Sequence, residues 1–169
     1  MTFQVGEKVI YPNHGVATIE SISSRIFAGQ FQRYYLLRLT YQNLTVMVPT
    51  SHAENVGLRK VTRNGEMARV LDFLSERRCR RSRDWKDRFK ENSERMQGGS
   101  LLEIAAVLKG LLRQQAEKPL SFRERKMLDR ARHMLIAELC TSRGLKDCEA
   151  VKALDEALAK AQLRLPEPM

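Results

Sequence analysis

Catalysis or metal binding in this chain would have to come from three histidines, three cysteines and 20 carboxylates among its 169 residues. His14, His52 and His133 lie in separate segments, two of them beside turn residues, which describes turn or surface positions better than a catalytic base. Cys79, Cys140 and Cys148 are an odd number with no Cys-x-x-Cys pair, which fits free thiols in a reducing compartment. A zinc site built from Cys140, Cys148 and His133 would match no standard ligand spacing. No phosphate-cradling glycine loop, nucleophile elbow or HExxH helix occurs. Most carboxylates sit among Lys and Arg at helical spacing, where they pair at the surface. No catalytic residue, metal or cofactor is therefore expected, and the chain does not read as an enzyme.

Binding chemistry is better represented. Lys and Arg number 30 against 20 Asp and Glu, a formal charge of +10 and a pI near 9.9. Such a surplus points to a polyanionic partner, nucleic acid ahead of acidic lipid. The excess is local: residues 1–60 carry a net +3, residues 61–144 a net +8 and residues 145–169 a net −1.

Positive charge is densest in "RRCRRSRDWKDRFKENSERM", Arg77 to Met96, which also holds the only tryptophan, Trp85. Two readings of Trp85 stand side by side. As a core residue it staples its helix to a bundle together with Phe89 and Met96. As an exposed ring among Arg83, Lys86, Arg88 and Lys90, it stacks on an unpaired base or wedges at a base step, with the cations on phosphates. Further along, "SFRERKMLDRARHMLIAEL" places Met127, Leu128, Ala131, Met134 and Leu135 in one arc. Arg123, Lys126 and Arg130 flank one side of it, Arg125 and Arg132 the other, with Asp129 the main interruption. That is the outline of a phosphate-backbone footprint.

The elements that must position these residues differ between the two halves of the chain. Residues 1–61 read as β structure: "KVIYP", "GVATIESI", "RYYLLRL" and "LTVMVP" are short β-branched and aromatic runs. Turn residues separate them at Asn13-His14-Gly15, Ala28-Gly29-Gln30 and Gln42-Asn43. Four or five strands in so short a span predict a small, strongly bent sheet or barrel of Tudor or SH3 type. In the last run, Leu44, Val46 and Val48 are expected to face the core and Thr45, Met47 and Pro49 to face out. An outward Met47 suits a partner contact, or it packs on the helical half. Pro49 cannot donate to a ladder, so the strand ends or runs at a sheet edge there.

From Asn64 the period becomes 3.6. Met67, Val70, Leu71 and Leu74 share a face, as do Trp85, Phe89 and Met96 in the next helix and Val151, Leu154, Leu158 and Ala161 in the last. Ser100 with Glu103 and Ser121 with Glu124 predict two capping boxes. The fold class is thus α+β: a β domain over residues 1–61, a compact bundle of about five helices over 64–162, and a frayed tail over 163–169. No apolar run of 18 residues and no signal-peptide pattern occurs, so no membrane partner is expected and cytoplasmic placement is.

Several stretches resemble one family. "VGEKVIYPNHGVATIE", "YYLLRL", "VMVP" and "VGLR", then "DWKDRFKEN", "EIAAVLKGL" and "LSFRERKMLDRARHMLIAEL", are similar in order and spacing to the CarD/CdnL family of bacterial transcription regulators. The first sixty residues also resemble the polymerase-interacting domain of transcription-repair coupling factor. The resemblance implies a Tudor-like domain that docks on the RNA polymerase β subunit and a helical domain that reaches promoter DNA at the upstream edge of the transcription bubble. It further implies that Trp85 wedges into the minor groove beside the −10 element and stabilises the open complex. Arg25, Met47 and Pro49 fall on the polymerase-facing positions, and Arg88, Lys90 and Arg125 on basic positions assigned to DNA. Helix geometry adds Arg123, Lys126 and Arg132 to the DNA-binding set. The protein is expected to act as a monomer. The segment "RRCRRSR" is more basic than the family pattern, which either strengthens non-specific DNA contact or simply solvates a loop. Two other classes stay open: a stand-alone nucleic-acid-binding or nucleoid protein, and a protein adaptor whose basic face only solvates.

Overall fold

Left-handed backbone at turn residues cuts the first sixty residues into strands. Asn13 (φ 66°) and Gly15 (φ 92°) turn β1 (Lys8–Tyr11) back into β2 (Gly15–Phe27). Ala28 (φ 53°) and Gly29 (φ 76°) then turn β2 into β3 (Gln30–Leu39). Two successive positive φ values between the paired Phe27 and Gln30 form the two-residue hairpin turn whose twist matches its strands. Gly29 takes that conformation freely, whereas Ala28 gives up about 1 kcal/mol to it. Asn43 (φ 52°) precedes β4 (Thr45–Pro49), and a short 3-10 turn at Thr50–His52 leads towards β5 (Arg59–Lys60). The structure, a computed structural model, describes residues 2–40, 42–77, 85–98 and 100–166, without the side chains of Phe27, Trp85, Lys86 and Asp87.

The strands pair antiparallel in the order β4-β3-β2-β1-β5. Ile19 faces Leu37 while Ser21 faces Leu36, so Glu20 is an extra residue in the ladder and bends the long β2. Val9, Ala17, Ile19, Tyr35, Leu37, Leu39 and Val48 fill the inner side of the bend. Phe3 joins them with its ring edge-on to Tyr35 at 5.8 Å, and its N–H donates to the Tyr35 hydroxyl at 3.2 Å. This is the small bent sheet the turn spacing predicts. One position departs from the alternation: Leu44 is 55% exposed, because the strand begins only at Thr45.

The helical unit begins at Thr62 rather than at Asn64. Its helices are α1 (Asn64–Ser75), α2 (Trp85–Gly98), α3 (Leu101–Glu117), α4 (Phe122–Arg143) and α5 (Asp147–Lys160). Helix α3 is central, packing on α1, α2 and α4, and Ile104, Ala105, Val107, Leu108, Leu111 and Leu112 bury nearly its whole circumference. Lys109 is buried with them. Its Nζ donates to the Phe73 carbonyl at 2.7 Å and sits 4.6 Å above the Phe73 ring, so a cation from α3 caps the C-terminal end of α1.

The two predicted capping boxes part ways. At Ser121 both halves form, with Ser121 Oγ accepting from the Glu124 N–H and the Glu124 carboxylate accepting from the Ser121 N–H. Ser100 makes no side-chain cap. The Glu103 carboxylate there lies against Gly98, where an added Cβ would come within 2.9 Å of it. At the other end of α4, Gly144 (φ 64°) provides the left-handed C-cap. The expected frayed tail starts too early, since Leu163 and Leu165 pack on the core. Residues 167–169 lie outside the described residues.

Candidate nucleic-acid interface

Helix α4 carries the cations, and its own carboxylates are turned away from the place where a phosphate chain would lie. Glu124 is held by the capping box and by Gln114, whose Nε2 donates to Glu124 Oε2 at 2.5 Å. Asp129 Oδ2 lies 3.5 Å from His133 Nε2 on the next turn. Arg123, Arg125 and Lys126 are exposed on the first two turns. The N-terminal end of the helix thus shows solvent a run of positive charge.

Two aromatic rings organise that run. The Arg123 guanidinium stacks 4.1 Å over the Phe89 ring, which brings the start of α4 against α2 and so gathers Arg123 with Arg88 and Lys90. Lys126 Nζ sits 4.6 Å over the Phe122 ring. Cation–π contacts of this kind hold long side chains in place while leaving their charge outward. Lys90 is fully on the surface, and Arg88 is half-buried with a Nε that has no hydrogen-bond partner. Phe122 is 56% exposed, an apolar ring set among cations that sequence reasoning overlooked. The signal was available, because at 3.6 residues per turn Phe122 falls about 120° around α4 from Leu128 and off its buried arc.

Arg132 is a correction. It is only 8% exposed, with its Nε unpartnered, and therefore does not stand on an open flank as a phosphate contact would. Helix α4 packs against α1, α3 and α5 together, which widens its buried arc past the flank where a single-sided reading puts Arg132. Trp85 is the first residue of α2, and the expectation of an exposed ring there lies outside the described residues, as does most of the Arg77–Arg83 run.

The remaining sequence candidates lie on the sheet. Cross-strand pairs Arg25–Gln32, Tyr34–Pro49 and Leu36–Met47 place Arg25, Met47 and Pro49 on one face, opposite to the buried Tyr35, Leu37 and Val48. Arg25 is exposed, Met47 is 37% exposed and Pro49 is half-buried. Met47 and Pro49 belong to β4, which ends the strand order and is therefore an edge. Gln32 and Tyr34 bridge the ladder between Arg25 and Pro49, with the Tyr34 hydroxyl donating to Gln32 Oε1 at 2.9 Å.

The titratable groups considered for catalysis are otherwise engaged. His14 stacks against Tyr11 with ring centroids 5.2 Å apart, in the turn after β1. The Cys140 thiol is pushed up to about 11, first by burial and then by the Asp147 carboxylate that accepts its hydrogen bond at 3.4 Å. At neutral pH it stays protonated and is a poor nucleophile or metal ligand. Among the described residues no group of His, Cys, Asp and Glu is arranged to hold a metal ion, and no helix is long and apolar enough to cross a membrane.

Comparison with known proteins gives a consistent picture. The family model of the CarD-like/TRCF RID domain matches residues 3–62, and that of the CarD C-terminal domain matches residues 69–155. YdeB of Bacillus subtilis (strain 168), a candidate transcription factor, is 35% identical over 145 residues, 86% of this chain and 95% of that protein. The solution NMR structure of the 72-residue N-terminal domain of Myxococcus xanthus CarD is 34% identical, over 35% of this chain and 79% of that domain, with a TM-score of 0.31.

Proposed function

The chain belongs to the CarD family, and from that premise we propose that this transcription regulator holds RNA polymerase and melted promoter DNA together without catalysing a reaction. In this reading the sheet face with Arg25, Met47 and Pro49 docks on the polymerase β subunit. The helical unit contacts DNA at the upstream edge of the bubble through Arg88, Lys90, Arg123, Arg125 and Lys126, with Trp85 wedged into the minor groove to stabilise the open complex. The observation that carries the reading is the gathering of exposed cations around Phe89 and Phe122 at the meeting of α2 and α4. Such a surface tracks a phosphate backbone and reads no base edge, so sequence preference would come through DNA deformability. Docking on polymerase raises the local concentration of the helical unit at the bubble, so neither contact needs to be tight alone.

A salt series tests the DNA half. DNA affinity of the full chain is expected to fall linearly in log–log form with a slope of about −3 to −5, from five contacting cations at about −0.9 each. Changing Arg125 and Lys126 to Gln is expected to flatten that slope by about two. Binding should be nearly indifferent to sequence. A slope near zero would instead make the chain a protein adaptor whose basic face only solvates.

A further inference from the structure

Buried Glu138 has no part in the surface just described, and its partner is informative. It is 2% exposed in the C-terminal half of α4. Glu138 Oε2 accepts from the Thr62 N–H at 2.9 Å and also from the Thr62 hydroxyl. Ser142 Oγ donates to the Thr62 carbonyl at 2.5 Å, and Arg143 Nε donates to Asn64 Oδ1 at 2.8 Å. Both main-chain polar groups of Thr62 are therefore held by side chains of α4. On the other side, Lys60 is still paired with Val9 in the sheet. Val61 alone separates the last sheet-paired residue from the first residue tied to α4.

A buried carboxylate is costly in an apolar bundle unless it is fully bonded, and an apolar residue would pack as well or better. What a carboxylate adds is direction, because charge-assisted bonds fix a main-chain segment in place. The same helix carries Arg125 about 20 Å from Glu138, thirteen residues at 1.5 Å each. Resting on the functional reading above, we propose that Glu138 is a positioning residue. It locks the joint between the two units onto the helix whose far end meets DNA, so that a docked sheet delivers the basic end of α4 to the bubble without a floppy linker.

The test uses the full chain with polymerase and promoter DNA. Glu138→Ala would leave a buried N–H unpaired and risks unfolding, so two gentler variants are used. One combines Thr62→Val with Ser142→Ala and loosens the clamp; the other inserts a flexible Gly-Ser-Gly-Ser segment after Val61 and touches no packed residue. Both are expected to melt near the wild type and to bind polymerase alone and DNA alone within about twofold of it. Both are expected to lose about tenfold of the lengthening of open-complex half-life, because a slack joint dilutes the second contact. The Thr62 amide should be strongly protected from hydrogen exchange in the wild type and less so in the double variant. An unprotected Thr62 amide, or variants that lengthen the half-life as the wild type does, would overturn this inference and leave the functional reading standing. A wild type that fails to lengthen the half-life would overturn both.

Discussion

Replacing Trp85 by Ala is expected to shorten the half-life of the open promoter complex about 5- to 150-fold, the equivalent of roughly 1–3 kcal/mol for one lost stacked aromatic. Polymerase binding should survive, since its proposed face lies on the sheet. The alternative is a ring buried in the bundle, and the same change would then remove a large packed group and cost about 3–5 kcal/mol of stability. Losses of that size consume much of the stability of a small domain. The two outcomes therefore separate cleanly in a thermal melt. Phe at this position should retain part of the effect, having a smaller ring and no indole N–H. A Trp85→Ala protein that melts far below the wild type would return the residue to the core and remove the wedge.

Charge reversal at Arg25 should act at the other end. Arg25→Glu is expected to weaken binding to the polymerase β subunit by about tenfold or more, because opposed like charges at an interface cost several kcal/mol. Met47→Ala should weaken it by about fivefold, for about 1 kcal/mol of lost apolar burial. Neither change should lower the melting temperature by much, since Arg25 and Met47 lie on the solvent side of the sheet, opposite Tyr35, Leu37 and Val48. DNA binding by the same variants should be unaltered. A pull-down in which both variants capture the β subunit as well as the wild type would remove this face from the account.

Local chemistry made much of the architecture legible from sequence. The left-handed turns fall where Asn13, Gly15, Ala28, Gly29 and Asn43 interrupt β-branched runs, and the Ser121 capping box forms as its spacing predicts. Periodicity also found the buried stripe of α4 at Leu128, Ala131 and Leu135. What it could not see is how many neighbours a helix has. A wheel assumes one buried side, but α4 has three packed partners, which is why Arg132 is inside the bundle. Buried charge was illegible for a related reason. Lys109 and Glu138 look like surface residues until the carbonyl of Phe73 and the amide of Thr62 are seen waiting for them from residues 36 and 76 positions away. Ser100 shows the limit of a spacing rule, because its Glu103 turns to Gly98 and the serine makes no cap. The cluster at α2 and α4 needed both helices in hand, since Phe89 and Arg123 are 34 residues apart in the chain and share one cation–π contact.

The central claim is that one chain touches polymerase with its sheet and promoter DNA with its helices in the same complex. Site-specific crosslinking in a reconstituted polymerase–promoter open complex tests it most directly, with a photoreactive residue placed at Met47 in one protein and at Lys90 in another. The account predicts that position 47 captures the polymerase β subunit, and that position 90 captures DNA at the upstream edge of the bubble only when polymerase is present. Capture of polymerase from position 47 with no DNA captured from position 90, or equal capture of DNA without polymerase, would contradict it.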